Sequence, residues 1–223
     1  VEHPVTEAIT GLDLVREQIR VAEGEPLGYA QADLRIDGHA IEARVCAENP
    51  AQDFLPTPGT VVVWEQAEDR GVRYDSGVES GTEIGIEFDP MIAKVIAHAP
   101  TRREAAARLA RALERTRIQG IVHNRDFLVA TLRSPAYLAG DTTTDFIARV
   151  APPVRREPSL AELETCAIGV ALQCRARRRA AVSVQRTIPG GFRNSHMPPQ
   201  IVSFKADDRT LKVSYRSRRD GGY

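Results

Sequence analysis

The chain has 223 residues, 42% of them hydrophobic, and its 30 basic and 30 acidic side chains balance formally. That length holds one large core or a domain of about 150 residues with a smaller partner. No run approaches the roughly eighteen apolar residues of a membrane span, and Val1 to Thr10 lack the basic and apolar regions of a secretory signal. The three cysteines, Cys46, Cys166 and Cys174, are too widely spaced for a disulfide framework, suit a reducing compartment, and have no histidine at metal-ligand spacing. The formal balance also conceals a division: residues 1–150 carry 16 Lys or Arg against 24 Asp or Glu, net −8, whereas 151–223 carry 14 against 6, net +8.

In chain order, Thr10 with Asp13 reads as a capping arrangement for a first helix. Its Leu12, Val15, Ile19 and Ala22 recur at helical spacing and are expected to pack inward, with Gly24 and Pro26 ending it. Strands are expected near 35–47, 60–64, 71–75 and 91–98, with turns around Gly81 and Gly85. Between them Phe54-Leu-Pro-Thr-Pro-Gly59 reads as a rigid turn, its prolines fixing φ. Thr101 with Glu104 forms a capping box for an Ala- and Arg-rich helix to about Arg115, with Leu109 and Leu113 toward the core and Arg108, Arg111 and Arg115 largely solvated. A further helix is expected from about Asn124 to Arg133.

Ala151-Pro-Pro-Val-Arg-Arg-Glu-Pro158 is proline-rich and aperiodic, which predicts a domain over 1–150, a linker over 151–158 and a second module over 159–223. Ser159 opens a helix through Leu160, Leu163, Ala167 and Val170, with Glu162 in its first turn and Arg175–Arg179 at its far end. Strands follow at 180–187, 200–206 and 210–216; three strands cannot close a barrel, so this module is expected to be partial. Strands and helices in separate runs place the chain in the α+β class.

The alternating run Ile41-Glu-Ala-Arg-Val-Cys46 sends Ile41, Ala43 and Val45 to one face of a strand and Glu42 with Arg44 to the other, projecting a charged pair from an anchored sheet. Surfaces carry such pairs too. On the residues alone, Glu2 reads as a solvated carboxylate and His3, before Pro4, as a packed or turn histidine; His39, His98, His123 and His196 likewise carry no chemistry. Glu42 reads equally as an orienting partner for bound charge or as a structural residue.

Five ordered stretches resemble the biotin carboxylase subunit family across roughly residues 1–147. They are Val1-Glu-His-Pro-Val-Thr-Glu-Ala-Ile-Thr-Gly-Leu-Asp-Leu-Val15, Gly38-His-Ala-Ile-Glu-Ala-Arg44, Asn49-Pro-Ala-Gln-Asp-Phe-Leu-Pro-Thr-Pro-Gly59, Asp89-Pro-Met-Ile-Ala-Lys94 and Gly120-Ile-Val-His-Asn-Arg-Asp-Phe-Leu128. They are similar to that family's C-terminal domain, packed helices on an antiparallel sheet. Ile188-Pro-Gly-Gly-Phe-Arg-Asn194 with Pro199-Gln-Ile-Val202 resembles, more briefly, the start of the linking domain of acyl-CoA carboxylase α subunits, with Phe192 where a tryptophan is usual.

The resemblance implies that Glu2 removes a proton from bicarbonate, which attacks the γ-phosphorus of ATP, and that Arg44 stabilises charge developing on the biotin ureido oxygen. Glu42 supports the site, and Arg73 lies near a subunit interface. It implies biotin, ATP and Mg2+ as cofactors, with nucleotide, metal and biotin-attachment sites outside this chain: no glycine-rich phosphate loop and no Met-Lys-Met biotinylation motif occurs here, and the family's Glu-x-Asn-x-Arg stretch would lie just upstream of Val1. The chain is then the middle of a longer α subunit and inactive alone. Implied partners are a carboxyltransferase β subunit, with Arg175–Arg179 and the strands beyond as docking candidates, the biotinyl domain of the same polypeptide, and other α subunits; Arg175–Arg179 reads equally as an ordinary solvated helix end. The implied location is a bacterial cytoplasm or a mitochondrial matrix. The alternative is a noncatalytic scaffold that docks the α subunit to its carboxyltransferase. A nucleic-acid module is disfavoured despite the +8 tail, because Phe192 and Tyr215 are not interleaved with its basic residues.

Overall fold

In the computed structural model, which describes residues 3–184, 188, 198–206 and 208–216, Val1–Arg156 and Glu157–Tyr223 fold as separate units. The first begins with α1 (His3–Thr10) and α2 (Leu14–Ala22), then β1 (His39–Cys46) and the short β2 (Glu48–Asn49), β3 (Leu55–Pro56), β4 (Gly59–Thr60) and β5 (Val63–Glu65). It continues through β6 (Val72–Ser76), β7 (Glu83–Ile84), β8 (Met91–Ala99), α3 (Arg102–Arg115), β9 (Arg117–Gln119), α4 (Arg125–Arg133), α5 (Pro135–Ala139) and α6 (Phe146–Val150). Helices packed on antiparallel sheet make this the α+β architecture expected.

The main sheet has the order β1-β8-β6, antiparallel throughout. Gly38, at φ +63°, leads the chain into β1 beside the Ala99 carbonyl, where a Cβ would collide. The register pairs Ile41 with Ala97, Ala43 with Val95 and Val45 with Ala93, and these buried residues meet Ala105, Ala106, Leu109, Ala110 and Leu113 of α3 in one core. α3 starts where the sequence indicates: the Thr101 hydroxyl accepts from the Glu104 N–H, and the Glu104 carboxylate accepts from the Thr101 N–H. Its alanines bring the helix close to the sheet. Arg111 is exposed and paired with Asp69, but Arg108 is half-buried rather than solvated, donating to the His98 carbonyl.

Several expectations need correction. α1 was not foreseen, and Thr10 ends it, its hydroxyl donating to the Thr6 carbonyl; Asp13 alone caps α2, accepting from the Arg16 N–H. The apolar stripe of α2 does not pack inward: Val15 and Ile19 are 45% and 56% exposed and no residue of α2 is buried. Periodicity reports an amphipathic helix without reporting what covers it. The strand expected over 35–47 starts only at His39, and the one over 60–64 divides into β4 and β5. Phe54-Leu-Pro-Thr-Pro-Gly59 is not a turn throughout: it is entered through left-handed Asp53 and Phe54, with the Phe54 ring edge-on to Phe127 at 5.1 Å, but Leu55–Pro56 pair with β2 as β3 and Gly59 opens β4.

The second unit contains α7 (Leu160–Ala180) and the hairpin β10 (Gln200–Ala206) with β11 (Arg209–Tyr215). Ser159 and Glu162 close a capping box on α7, and Ala167 and Ala171 are its buried residues; Leu160, Ile168 and Val170 stay about half exposed. Residues 180–184 form no strand, because α7 runs through Ala180. Residues 185–187, Phe192 and His196 lie outside the described residues. Among the described residues no helix, the 21-residue α7 included, is long and apolar enough to cross a membrane.

Leu109 has no exposed surface. Leu109→Ala is expected to destabilise the first unit by about 2–5 kcal/mol, read as a lowered urea midpoint with an unchanged denaturant slope.

Candidate active site

The face of the sheet opposite the core is charged. Antiparallel pairing sets Arg44 opposite Lys94 and Asp75 opposite Lys94 from the other side, while Glu42 and Arg73 flank Ile96. Two cations on adjacent strands repel unless a carboxylate lies between them. Glu42 supplies it: Oε1 lies 3.6 Å from Arg44 Nε and 3.7 Å from Lys94 Nζ. The Glu42 side chain is only 6% exposed while Arg44 is 51% exposed, so the anion is enclosed and the guanidinium reaches solvent. Glu42 Oε2 has no hydrogen-bond partner among the described residues.

Glu42 and Arg44 line a cavity of about 380 Å³ together with Val5, Ala40, Arg102 and Tyr137. The Arg102 guanidinium stacks 4.6 Å from the Tyr137 ring centroid and donates to the Tyr137 carbonyl at 3.0 Å. Burial, reinforced by the charge of Arg102 beside it, holds His39 below the ordinary histidine range. A wider groove of about 1350 Å³ runs along α1, α2 and β6, past Val15, Ile19, Arg73 and His98.

α1 is fastened to the charged face through Glu7. Its carboxylate accepts from Arg73 Nη1 at 2.7 Å and from the Leu14 N–H at 3.0 Å, and His3 Nδ1 lies 3.3 Å away. Arg73 also grips Asp75 through two bonds of 2.7 and 2.8 Å, so within this chain it ties α1 to β6. Burial works to raise the Glu7 carboxyl, but hydrogen bonds from Arg73, His3 and Leu14 outweigh it and hold it below the usual range.

The structure brings Arg44 and Glu42 together. Glu2 lies outside the described residues; it immediately precedes His3, and Val5 in the first turn of α1 lines the same cavity as Arg44. Lys94, Arg102 and Tyr137 were not singled out for the site. Lys94 lies in Met91–Ala99, where buried apolar residues on both faces hide the alternation that marks β1, and Arg102 and Tyr137 arrive through helix packing that no local pattern announces. Cys46, two residues beyond Arg44, is no nucleophile: burial first, then Glu48 and Asp89, push its thiol up to about 12. His98 bonds the Asp37 carbonyl at 2.8 Å, and burial lowers His123. Among the described residues no group of three or more His, Cys, Asp or Glu could hold a metal ion.

Comparison with known proteins matches residues 42–149 to the biotin carboxylase C-terminal domain, and residues 1–30 to the carbamoyl-phosphate synthase L chain ATP binding domain. The chain is 47% identical over 154 residues to the mitochondrial propionyl-CoA carboxylase alpha chain of Homo sapiens, which covers 68% of this chain and 21% of that protein. It is 39% identical over 216 residues to the propionyl-CoA carboxylase alpha chain of Ruegeria pomeroyi, covering 88% of this chain and 31% of the relative. Among solved structures, the biotin carboxylase domain dimer of the 2-oxoglutarate carboxylase of Hydrogenobacter thermophilus, in complex with MgADP, ADP and bicarbonate, superposes with a TM-score of 0.68 at 36% identity. That match covers 71% of this chain and 35% of the other. The chain therefore spans a third or less of the length of these two relatives.

Because the Glu7 carboxyl sits below its unfolded value, its contribution to stability is full above about pH 4.5 and is lost as pH falls through the folded value. In the full-length protein, Glu7→Gln is expected to weaken hydrogen-exchange protection of the α1 amides at pH 6, with the gap from wild type closing toward pH 3.

Proposed function

Since this chain carries a biotin carboxylase C-terminal domain over residues 42–149, we propose that the full-length protein carboxylates protein-linked biotin with bicarbonate and ATP. The charged face of β1 forms one wall of the reaction centre. The observation that carries this reading is the Arg44–Glu42–Lys94 cluster: a half-exposed guanidinium on a rigid strand, backed by an enclosed carboxylate and opening on a cavity. Ionisation of the ureido group places negative charge on its oxygen, and a guanidinium fixed there stabilises that charge more than the neutral ground state. Glu42 holds Arg44 from behind and keeps Lys94 from repelling it.

Glu2 acts as the base toward bicarbonate. Its support is its place in the sequence immediately before His3, where α1 begins, and Glu7 ties α1 to Arg73 of the same sheet. MgATP supplies phosphoryl activation of bicarbonate when bound. Its ligands belong to the ATP-binding portion, of which residues 1–30 match only a part, and the described residues offer no metal cluster.

Residues 159–223 we assign to the start of a linking domain that docks a carboxyltransferase β subunit, with the biotinyl domain elsewhere in the same polypeptide. The alignment with the Ruegeria pomeroyi alpha chain supports this, because 88% of the chain exceeds the 156 residues of the first unit. The acyl-CoA is chosen by the β subunit. A bacterial cytoplasm or mitochondrial matrix suits these relatives.

In the full-length protein, Arg44→Ala is expected to lower the kcat of ATP-dependent biotin carboxylation by about 100-fold or more, and Glu42→Gln by a smaller factor, with ATP binding nearly unchanged. Comparable coupled turnover in Arg44→Ala would remove this residue from the chemistry.

A further inference from the structure

β1 is an edge strand, so every second residue turns its N–H and C=O away from β8, and at Arg44 and Cys46 these groups need partners. Asn124 provides them. It stands directly before α4, where an asparagine ordinarily caps the helix with its side chain, yet it makes no such bond. Its Oδ1 accepts from the Cys46 N–H at 3.0 Å, its Nδ2 donates to the Arg44 carbonyl at 3.1 Å and to Glu48 Oε1 at 2.8 Å, and its own N–H donates to the Cys46 carbonyl at 3.2 Å. The residue is 5% exposed, with its amide oxygen and one amide donor committed to β1 and the other donor to the Glu48 side chain of β2. The site of attachment is telling: the pairing of β1 with β8 shifts register between Val45 and Cys46 before resuming at Cys46 and Met91, so the ladder is irregular one residue past Arg44.

We infer that Asn124 is a positioning residue for Arg44, replacing a neighbouring strand at the edge of β1 and so setting where the guanidinium points into the cavity. It touches no substrate and acts through the Arg44 backbone. The inference rests on the role proposed for Arg44. Misplacing a catalytic group by about 1 Å costs on the order of 100-fold in rate, and a peptide segment left without its edge partner can move that far.

The test uses full-length enzyme and compares Asn124→Ala, Arg44→Ala, the double variant and Leu113→Ala, a buried change on the core side of the sheet that lowers stability without removing a bond to the edge of β1. Free biotin, bicarbonate and MgATP are the substrates, and both ATP cleavage and carboxybiotin are measured. Asn124→Ala is expected to reduce kcat for biotin carboxylation by about 10- to 100-fold with the KM for ATP within about twofold of wild type, yielding less carboxybiotin per ATP cleaved. In the Arg44→Ala background the same change should cost less than about twofold, the non-additivity of two residues acting as one. Leu113→Ala should keep wild-type coupling. Asn124→Asp, which retains the acceptor and removes both donors, serves if the alanine variant does not fold and should show the same pattern. Losses that multiply in the double variant, or an Asn124→Ala enzyme coupled as tightly as Leu113→Ala, overturn the inference while leaving Arg44 in place. Full coupled turnover in Arg44→Ala overturns the role of Arg44 and this inference with it.

Discussion

The register of β1 against β8 governs everything else in the first unit. With Arg44 opposite Lys94 and Ala43 opposite Val95, one face of the strand is apolar and the other charged, and a slip of one residue would exchange them. Glu42 and Arg44 would then face Leu109 and Leu113, while Ile41, Ala43 and Val45 turned outward. Burying two ions against a leucine and alanine helix costs far more than such a shift could recover. The core therefore selects the register, and the register selects where the guanidinium stands.

On the charged face, sign alternates through space rather than along the chain. Glu42 lies between Arg44 and Lys94, Asp75 stands opposite Lys94, and Arg73 joins Asp75 to Glu7 beneath α1. Enclosure of the Glu42 and Glu7 carboxylates strengthens their attractions relative to a solvated surface, whereas Arg73 and Asp75 are more exposed. Arginine suits the exposed end of the cluster because its guanidinium is planar, always charged and less strongly hydrated than an ammonium. Glu42 lies 3.6 Å from its Nε, an ion pair that fixes the guanidinium from behind while the side chain stays half exposed.

Much of this was legible in the residues, and the losses have identifiable causes. The alternation through Ile41–Cys46, the capping box at Thr101, the helix start at Ser159 and the helix from about Asn124 are local signals, and each marks its element. α1 escaped notice because eight residues with no buried aliphatic stripe resemble a polar leader; Pro4, its buried residue, favours a helix start only once a helix is known to follow. α2 was read as buried from amphipathicity, a property of the helix alone and not of its surroundings. Asn124 is the instructive case. Its position predicts a cap, but its bonds reach residues 78 and 80 places away, and a contact of that range leaves no trace in local spacing. The cavity walls contributed by Arg102 and Tyr137 were hidden for the same reason.

In the second unit the buried residues of α7 are Ala167 and Ala171 alone, whereas α3 of the first unit buries Leu109 and Leu113 beside its alanines. The central claim concerns the first unit, and it is that Arg44 and Glu2 serve one reaction centre on the charged face of β1. The most direct measurement is a crystal structure of the full-length protein with free biotin and bicarbonate bound. The account predicts the Arg44 guanidinium within hydrogen-bonding distance of the ureido oxygen and the Glu2 carboxylate facing bicarbonate in the same cavity. Biotin bound away from β1, with the two side chains opening on different cavities, would contradict it.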